Sequence, residues 1–591
     1  MNEKRADLDY VGAADFITYN RQSVAYYREV NNNTGFGNFL NGATAFGTGN
    51  NTTNSPFTVM LLDDNNRYLL GQPGWSAIPD PLDPTQQILF QENRVDGNIY
   101  QDSSAKDHYL SFDGGNDKGT YYLGLGALDN KGIIWGSGFK RYSGNFRATY
   151  KVTNSVKANA NVNYRHSNLS TSPLGSESTV FRRFQGQAPT SRVYNNNPDG
   201  TLSPNLNPGT NAGFGNPLYY RDKFIRTNVF QQLTISAGLE WEPIDNLIAS
   251  IQGSHYATNN RFENFNKAYL VGQNLNTQRS ASASYASDIT NQLTAKLAYS
   301  KKIEKHNFNA FVGAEYLKTN SFDLSASTRN SPTDLIETLN AGAEASGASS
   351  SRGLTSLTSI FGQLTYDFDS KYLFTFNFRR DGASRLAPGN KFEFFPGVSL
   401  GWNVHNEDFF KSSKLSHVIS KFKPRVSYGV NGNLGTIGAF QVFGAYGSRG
   451  VYDGNTGYAN TGVPTPDLVW ERANSYNYGL DLGLFNNRVS IIADAYTKNI
   501  EGLITNRQIP LWTGFSGINT NNGSFIVRGL DLEISADIIK NQDLTWNVKG
   551  IYTNSKRYVD KLPENDNDLN RQGGVQIYNA EGELEWGGGL Q

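Results

Sequence analysis

Alternation at every second residue is what most constrains how this chain can fold. In KYLFTFNFRRDGASRLAPGNKFEFFPGVSLGWNV (371–404), Tyr372, Phe374, Phe376 and Phe378 share one side of an extended segment, and Leu373, Thr375, Asn377 and Arg379 share the other. After a charged, turn-rich middle the pattern resumes, with Val398, Leu400, Trp402 and Val404 opposite Ser399, Gly401 and Asn403. The same period returns at Val156–Tyr164, Leu233–Trp241, Tyr476–Leu484 and Leu530–Ala536, each time with Asn, Gly, Ser or charged residues on the second face. Between residues 106 and 557 this reading gives about sixteen strands, many near the ~9–11 residues that a tilted strand needs to cross a bilayer.

The links between strands narrow the choice. Short ones fall near 114–119, 152–155, 242–246, 301–307, 367–371, 485–488 and 538–543; long ones fall between them at 129–139, 167–228, 257–290, 318–357, 381–395, 433–473 and 499–526. The link at 405–424 is long but occupies a short-series place, and HNEDFFKSSKLSHVISKF there reads as a short amphipathic helix. Strict alternation puts tight turns at one end and large loops at the other, the pattern of an up-and-down antiparallel transmembrane β-barrel. A soluble propeller or all-β repeat protein also alternates, but its links are shorter and more even. On the barrel reading the Phe/Tyr face meets lipid and the Asn/Gly/Arg face lines a lumen.

Composition excludes several alternatives. Lys plus Arg and Asp plus Glu are 53 each, so no net field draws the chain to nucleic acid. There is no Cys, which removes disulfide frameworks and thiolate zinc sites. No apolar run reaches the roughly 18 residues of a membrane helix. The first residues, MNEKRADLDY, have no apolar core and do not read as a signal peptide.

Motifs for chemistry dissolve on inspection. GVSLG (397–401) has the spacing of a nucleophile elbow, yet alternation runs straight through Ser399, which makes it a mid-strand residue. The six His residues (108, 166, 255, 306, 405, 417) form no close ligand pair. DNKG (129–132) and YDGNTG (452–457) have calcium-loop residue types without EF-hand spacing; turn chemistry explains both, and a structural calcium in a loop is the only cofactor left open. Trp75, Trp135, Tyr452, Trp512 and Phe515, all in links, are candidate ring faces for a saccharide, or for packing loops together. Arg379, Arg380, Asp381 and Arg385 crowd the end of an aromatic strand: a solvated rim, or a contact for a plug or partner.

FNFRRDGASR followed by FFPGVSLGWNV resembles the barrel of the SusC-like (RagA/SusC) TonB-dependent transporters of the Bacteroidetes outer membrane. YYLGLGALDNKGIIWGSGFKRY (121–142), FKPRVSYGVNGNLG (422–435), PDLVWERANSYNYGLDLGLFNNRVSIIADAYTKNIEGLI (466–504) and RGLDLEISADIIKNQDLTWNVKGIYTNSKR (528–557) extend the resemblance in order. It implies a 22-stranded barrel closed by an N-terminal plug, of which this chain carries about sixteen strands. It also implies energising through TonB–ExbB–ExbD, a SusD-like surface lipoprotein as lid, and import of glycans or peptides without covalent chemistry. The expected layout is an early barrel region with long loops (1–105), barrel strands and loops (106–557) and a terminal loop (558–591). The plug, the TonB box and the last strands are not recognised, so the chain reads as a piece of a longer protein. A siderophore or cobalamin-type receptor and a non-transporting adhesion barrel are the alternatives.

Overall fold

The computed structural model describes residues 11–32, 34–93, 100–171, 186–210, 215–271, 274–435, 437–561, 575–578 and 584–587. Its first part is a small mixed unit. Helix α1 (Ala13–Asn31) buries Ala13, Ile17 and Arg21, one residue per turn on a single face. That face packs on a three-stranded sheet of β1 (Met60–Leu61), β2 (Trp75–Asp80) and β3 (Asp83–Gln91), through Val59, Ile88 and Phe90. Arg21 pays for its burial with a two-pronged contact to Asp80 (2.6 and 3.1 Å) and a bond to the Leu40 carbonyl.

Sixteen further strands form one antiparallel sheet. It runs through β4 (Ser104–Asn116), β5 (Gly119–Lys131), β6 (Gly138–Lys151) and β7 (Val156–Ser170). A small hairpin, β8 (Tyr194–Asn196) and β9 (Leu202–Leu206), interrupts before β10 (Phe224–Ile244) and β11 (Leu247–Asn266) rejoin it. After a second hairpin, β12 (Tyr269–Val271) and β13 (Asn274–Asn276), come β14 (Ser280–Ile303), β15 (His306–Arg329) and β16 (Glu344–Phe368). β17 (Tyr372–Ala383), β18 (Phe392–Trp402) and β19 (Ile419–Asn433) follow, then a third hairpin, β20 (Ala445–Tyr452) and β21 (Asn455–Gly462). β22 (Glu471–Leu484), β23 (Val489–Gln508), β24 (Gly517–Lys540) and β25 (Thr545–Lys561) complete the wall. Every neighbour in the sheet is the next wall strand in sequence; β4 and β25 are its two edges among the described residues.

The tight turns have turn chemistry. Asp369–Ser370, Asn246, Glu304 and Phe485–Asn487 all take positive φ, the left-handed geometry that closes a two-stranded ribbon with the right twist. All lie at one end of the sheet. The long connections lie at the other, as the alternation of link lengths predicts. Three of them are less than half the expected length. The links read as 257–290, 318–357 and 499–526 contain 267–279, 330–343 and 509–516 outside the wall, because β11, β14–β16, β23 and β24 run on as paired strands. Most of the segment expected to be a terminal loop lies outside the described residues.

Register separates the two faces. One row of directly opposed residues runs Ile244, Leu247, Tyr299, Ala310, Leu364, Phe376, Val398, Tyr428, Tyr476. A row of the other parity runs Thr120, Thr149, Asn159, Gly238, Gln252, Thr294, Glu315, Ser359, Asp381, Glu393. The first is apolar and largely exposed, as a lipid-facing belt is. The second is polar at every position but Gly238.

At the long-loop end, residues 186–210 bind the N-terminal unit to the wall. Arg192 is buried without a carboxylate: it donates to the Ser55 and Asn51 carbonyls (2.9 and 3.0 Å) and to Asn196 Oδ1 (3.2 Å). Burial pushes its guanidinium down to about 10.

Candidate functional site: the lumen wall and the long-loop face

Facing determines what each charged residue can do. Arg379, on the polar face of β17, donates from Nη2 to Glu315 Oε1 and to Ser359 Oγ (2.7 Å each) and from Nε to Asp381 Oδ1 (2.6 Å). Gln292 donates to the second Glu315 oxygen (2.6 Å), so one network spans β14 to β17. The Arg379 guanidinium also lies over the Phe361 ring at 5.5 Å.

Arg380, one residue later, points the opposite way. Its guanidinium sits over Phe392 at 5.2 Å, beside exposed Phe394, at the outer rim. Arg385 turns into the loops and donates to the Leu434 and Ile437 carbonyls (3.3 and 3.4 Å). The four residues adjacent in sequence are thus split three ways: Arg379 and Asp381 in the lumen wall, Arg380 outside, Arg385 beneath the loops.

A second lumen network is one that sequence reasoning missed. Arg425 on β19 donates to Asp481 (3.1 Å) on β22 and crosses that strand to reach Asp494 (2.6 Å) on β23; Lys421 adds a contact to Asp481 at 3.4 Å. Gly479 makes the crossing possible, since a Cβ there would stand 2.3 Å from the Arg425 guanidinium carbon. The signal was available: all four charges occupy the polar parity of their strands.

The loops at the far end stand on a core of their own. Leu386, Phe395, Val430, Val442, Leu468 and Trp470 are among its buried members, and the Trp470 indole donates to the Lys391 carbonyl at 3.0 Å. Buried Glu471 takes the Ile504 N–H (2.7 Å), freed by a bulge at Gly502, and the Asn433 amide (2.6 Å).

The five aromatic candidates divide. Trp75 proves to be a strand residue at the start of β2, buried against Met60, Leu69 and Leu89, whereas Trp135 packs loops together against Ile134, Val193 and Tyr220; neither presents a ring face. Phe515 is half-buried. Tyr452 (86% exposed) and Trp512 (87%) stand free on the long-loop face, with exposed Tyr446 and Tyr458 on the same β20–β21 hairpin. Ser399 lies in mid-strand between Thr375 and Ser427. Among the described residues no group of three or more His, Asp or Glu side chains is placed to hold a metal ion.

The chain with this polar wall, apolar exterior and loop-rich mouth matches, over residues 176–580, the family model TonB dependent receptor-like, beta-barrel. The chain belongs to that family. TonB-dependent receptor P3 of Formosa agariphila is 28% identical over 504 residues, covering 82% of this chain and 49% of that protein. TonB-dependent receptor SusC of Bacteroides thetaiotaomicron is 26% identical over 503 residues, covering 79% and 48%. The solved RagAB peptide transporter superposes with a TM-score of 0.70 at 22% identity, over 80% of this chain and 52% of that one, and so shares the fold. The chain is SusC/RagA-like and spans about half the length of the curated relatives it matches. Its strands therefore cross the bacterial outer membrane, tight turns on the periplasmic side and long loops outside.

Proposed function

We propose that this chain is the barrel wall of an outer-membrane importer that takes up oligosaccharides, with a SusD-like lipoprotein at the long-loop mouth and TonB–ExbB–ExbD supplying energy through a plug. The supporting observation is the pairing of a family-matched wall, polar on its inner face, with free aromatic rings at the extracellular end. A sugar ring offers an apolar face and equatorial hydroxyls, and exposed Tyr and Trp side chains stack on the first while leaving the second hydrated. The wall performs no covalent chemistry. Its Arg379–Glu315–Asp381 and Arg425–Asp481–Asp494 networks hold their charges in place, giving a plug or a passing polar solute a fixed hydrogen-bonding surface.

A peptide cargo is the second reading, favoured by the likeness to the RagAB peptide transporter. The test is binding of the full-length protein, with its lipoprotein partner, to an oligosaccharide array and to a peptide library. Retention of oligosaccharides, lost when Tyr452 and Trp512 are changed to Ala, supports the first reading. Retention of peptides alone overturns it.

A further inference from the structure

The segment joining β18 to β19 breaks the short-turn rule. It runs from residue 403 to 418 at the end where every other link is tight. β18 and β19 are opposed only at Gly397–Gly401 and Arg425–Gly429, so the chain leaves the sheet at Trp402. His405 fills part of the gap: its Nδ1 lies 3.2 Å from the Phe422 backbone N.

The segment folds outward rather than into the lumen. Phe422 opposes Leu482 and shares the lipid-facing parity of Val426 and Tyr428, and buried Phe410 packs its ring 6.4 Å from it. Phe409 stands 6.4 Å from Trp402, also on the lipid side. Depth is fixed by Phe368, Tyr372 and Trp402, opposed in one row across β16–β18 and stacked pairwise at 6.3 Å. An aromatic row of that kind marks the headgroup boundary of a barrel.

Three apolar side chains of this outward segment, Phe409, Leu415 and Val418, are exposed. Glu407 is held by Lys371 at 3.4 Å, while Asp408 is exposed 3.9 Å from the same Lys, and Lys411 and Lys414 are exposed as well. Just above lies an outer-face groove of about 530 Å³, lined by Tyr372, Phe374, Leu400, Trp402, Pro424 and Val426. It is continuous with the lipid-facing belt.

We propose that residues 403–418 are an interfacial anchor that binds phospholipid of the periplasmic leaflet. Phe409, Leu415 and Val418 sit at the acyl–headgroup boundary, Lys411 and Lys414 engage phosphates, and one acyl chain occupies the groove beside Trp402. The chemistry is that of an amphipathic interfacial segment: apolar groups at the boundary, cations on the headgroups. The inference rests on the outer-membrane placement and not on transport, so a protein that fails to import any cargo leaves it standing.

The test uses the full-length protein in phosphatidylethanolamine–phosphatidylglycerol vesicles, with single spin labels at Phe409→Cys and Leu415→Cys and a control label at Asp245→Cys in the β10–β11 turn. Labels at 409 and 415 are expected to collide with oxygen more than with an aqueous nickel chelate, and the control the reverse. Chelate accessibility equal to the control's overturns the proposal. Shielding from both reagents overturns it too, and indicates a protein partner. Native mass spectrometry of the unlabelled protein needs no change in the apolar residues. Retained phosphatidylglycerol is expected to fall about fivefold for each of Lys411→Gln and Lys414→Gln; unchanged retention refutes the phosphate contacts.

Discussion

Phe376→Arg tests the assignment of faces, and the structure sets its size. Phe376 lies four residues beyond Tyr372, which belongs to the aromatic row at the short-turn end. At about 3.3 Å per residue that is about 13 Å along the strand, or about 9 Å of depth at a tilt of about 45°. The apolar band of such a barrel is about 25 Å tall, so Phe376 falls within its central half, where Arg costs about 2–3 kcal/mol. The folded-to-unfolded ratio in vesicles should drop roughly 30- to 150-fold. Asn377→Arg is the paired control: its side chain lies on the other face, over Gly397, with a polar wall around it. It should shift the same ratio by less than about threefold, the range of ordinary surface changes. The assay is denaturant unfolding of the full-length protein in lipid vesicles, read by the heat-modifiable band. If the two variants lose stability equally, or Asn377→Arg loses more, the facing of β17 is wrong, and with it both register rows.

Three further outcomes follow from single sites. Gly479→Ala and Asp494→Ala both remove the contact that Arg425 makes across β22, so their effects on unfolding should be non-additive, with a coupling of about 0.5–3 kcal/mol; strict additivity would refute the crossing. Hydrogen bonds from the Tyr372 hydroxyl, then the Trp402 indole, hold the Glu407 carboxyl below its usual range. A depressed acid stabilises its surroundings above its unfolded value of 4.5, and this is lost as pH falls through the lower folded value; a spin label at Phe409→Cys should gain mobility in that window, and Glu407→Gln should abolish the response. Tyr452→Ala with Trp512→Ala should leave unfolding within about 0.5 kcal/mol of the parent while weakening cargo binding; loss of stability would show that these rings hold loops together.

Much of the wall was legible because a two-residue period survives in any sequence whose faces meet different solvents. The pattern fades where the strands rise past the lipid. Glu344–Gly353 reads EASGASSSRG, a loop by composition, yet it pairs with β15 through backbone bonds and contacts such as Ser325–Ser349 at 2.7 Å. With water on both sides there, nothing requires an apolar face. The site was legible in part for a related reason. Arg379 and Arg380 read as one cluster by proximity, although alternation alone places them on opposite faces. Trp135 was not decidable, since an aromatic ring in a long link looks the same in sequence whether its loop closes over it or leaves it in water, and Trp75 belongs to a short strand, β2, whose alternation is too brief to read. Arg425 reaching past Gly479 needed register, which depends on three strands at once.

The brief opposition of β18 and β19 bears on how the wall resists strain. A sheet resists sliding through the bonds along each seam, and the neighbouring seams are opposed over Tyr372–Gly382 with Phe392–Trp402, and over Ile419–Asn433 with Glu471–Leu484. Between them only Gly397–Gly401 and Arg425–Gly429 are joined. Mechanically the wall is two broad panels, β4–β18 and β19–β25, sewn by a short stitch on the short-turn side of the membrane band. A force pulling on the inner face would bend the sheet along that stitch, and the two panels would keep their own shape while the angle between them changed.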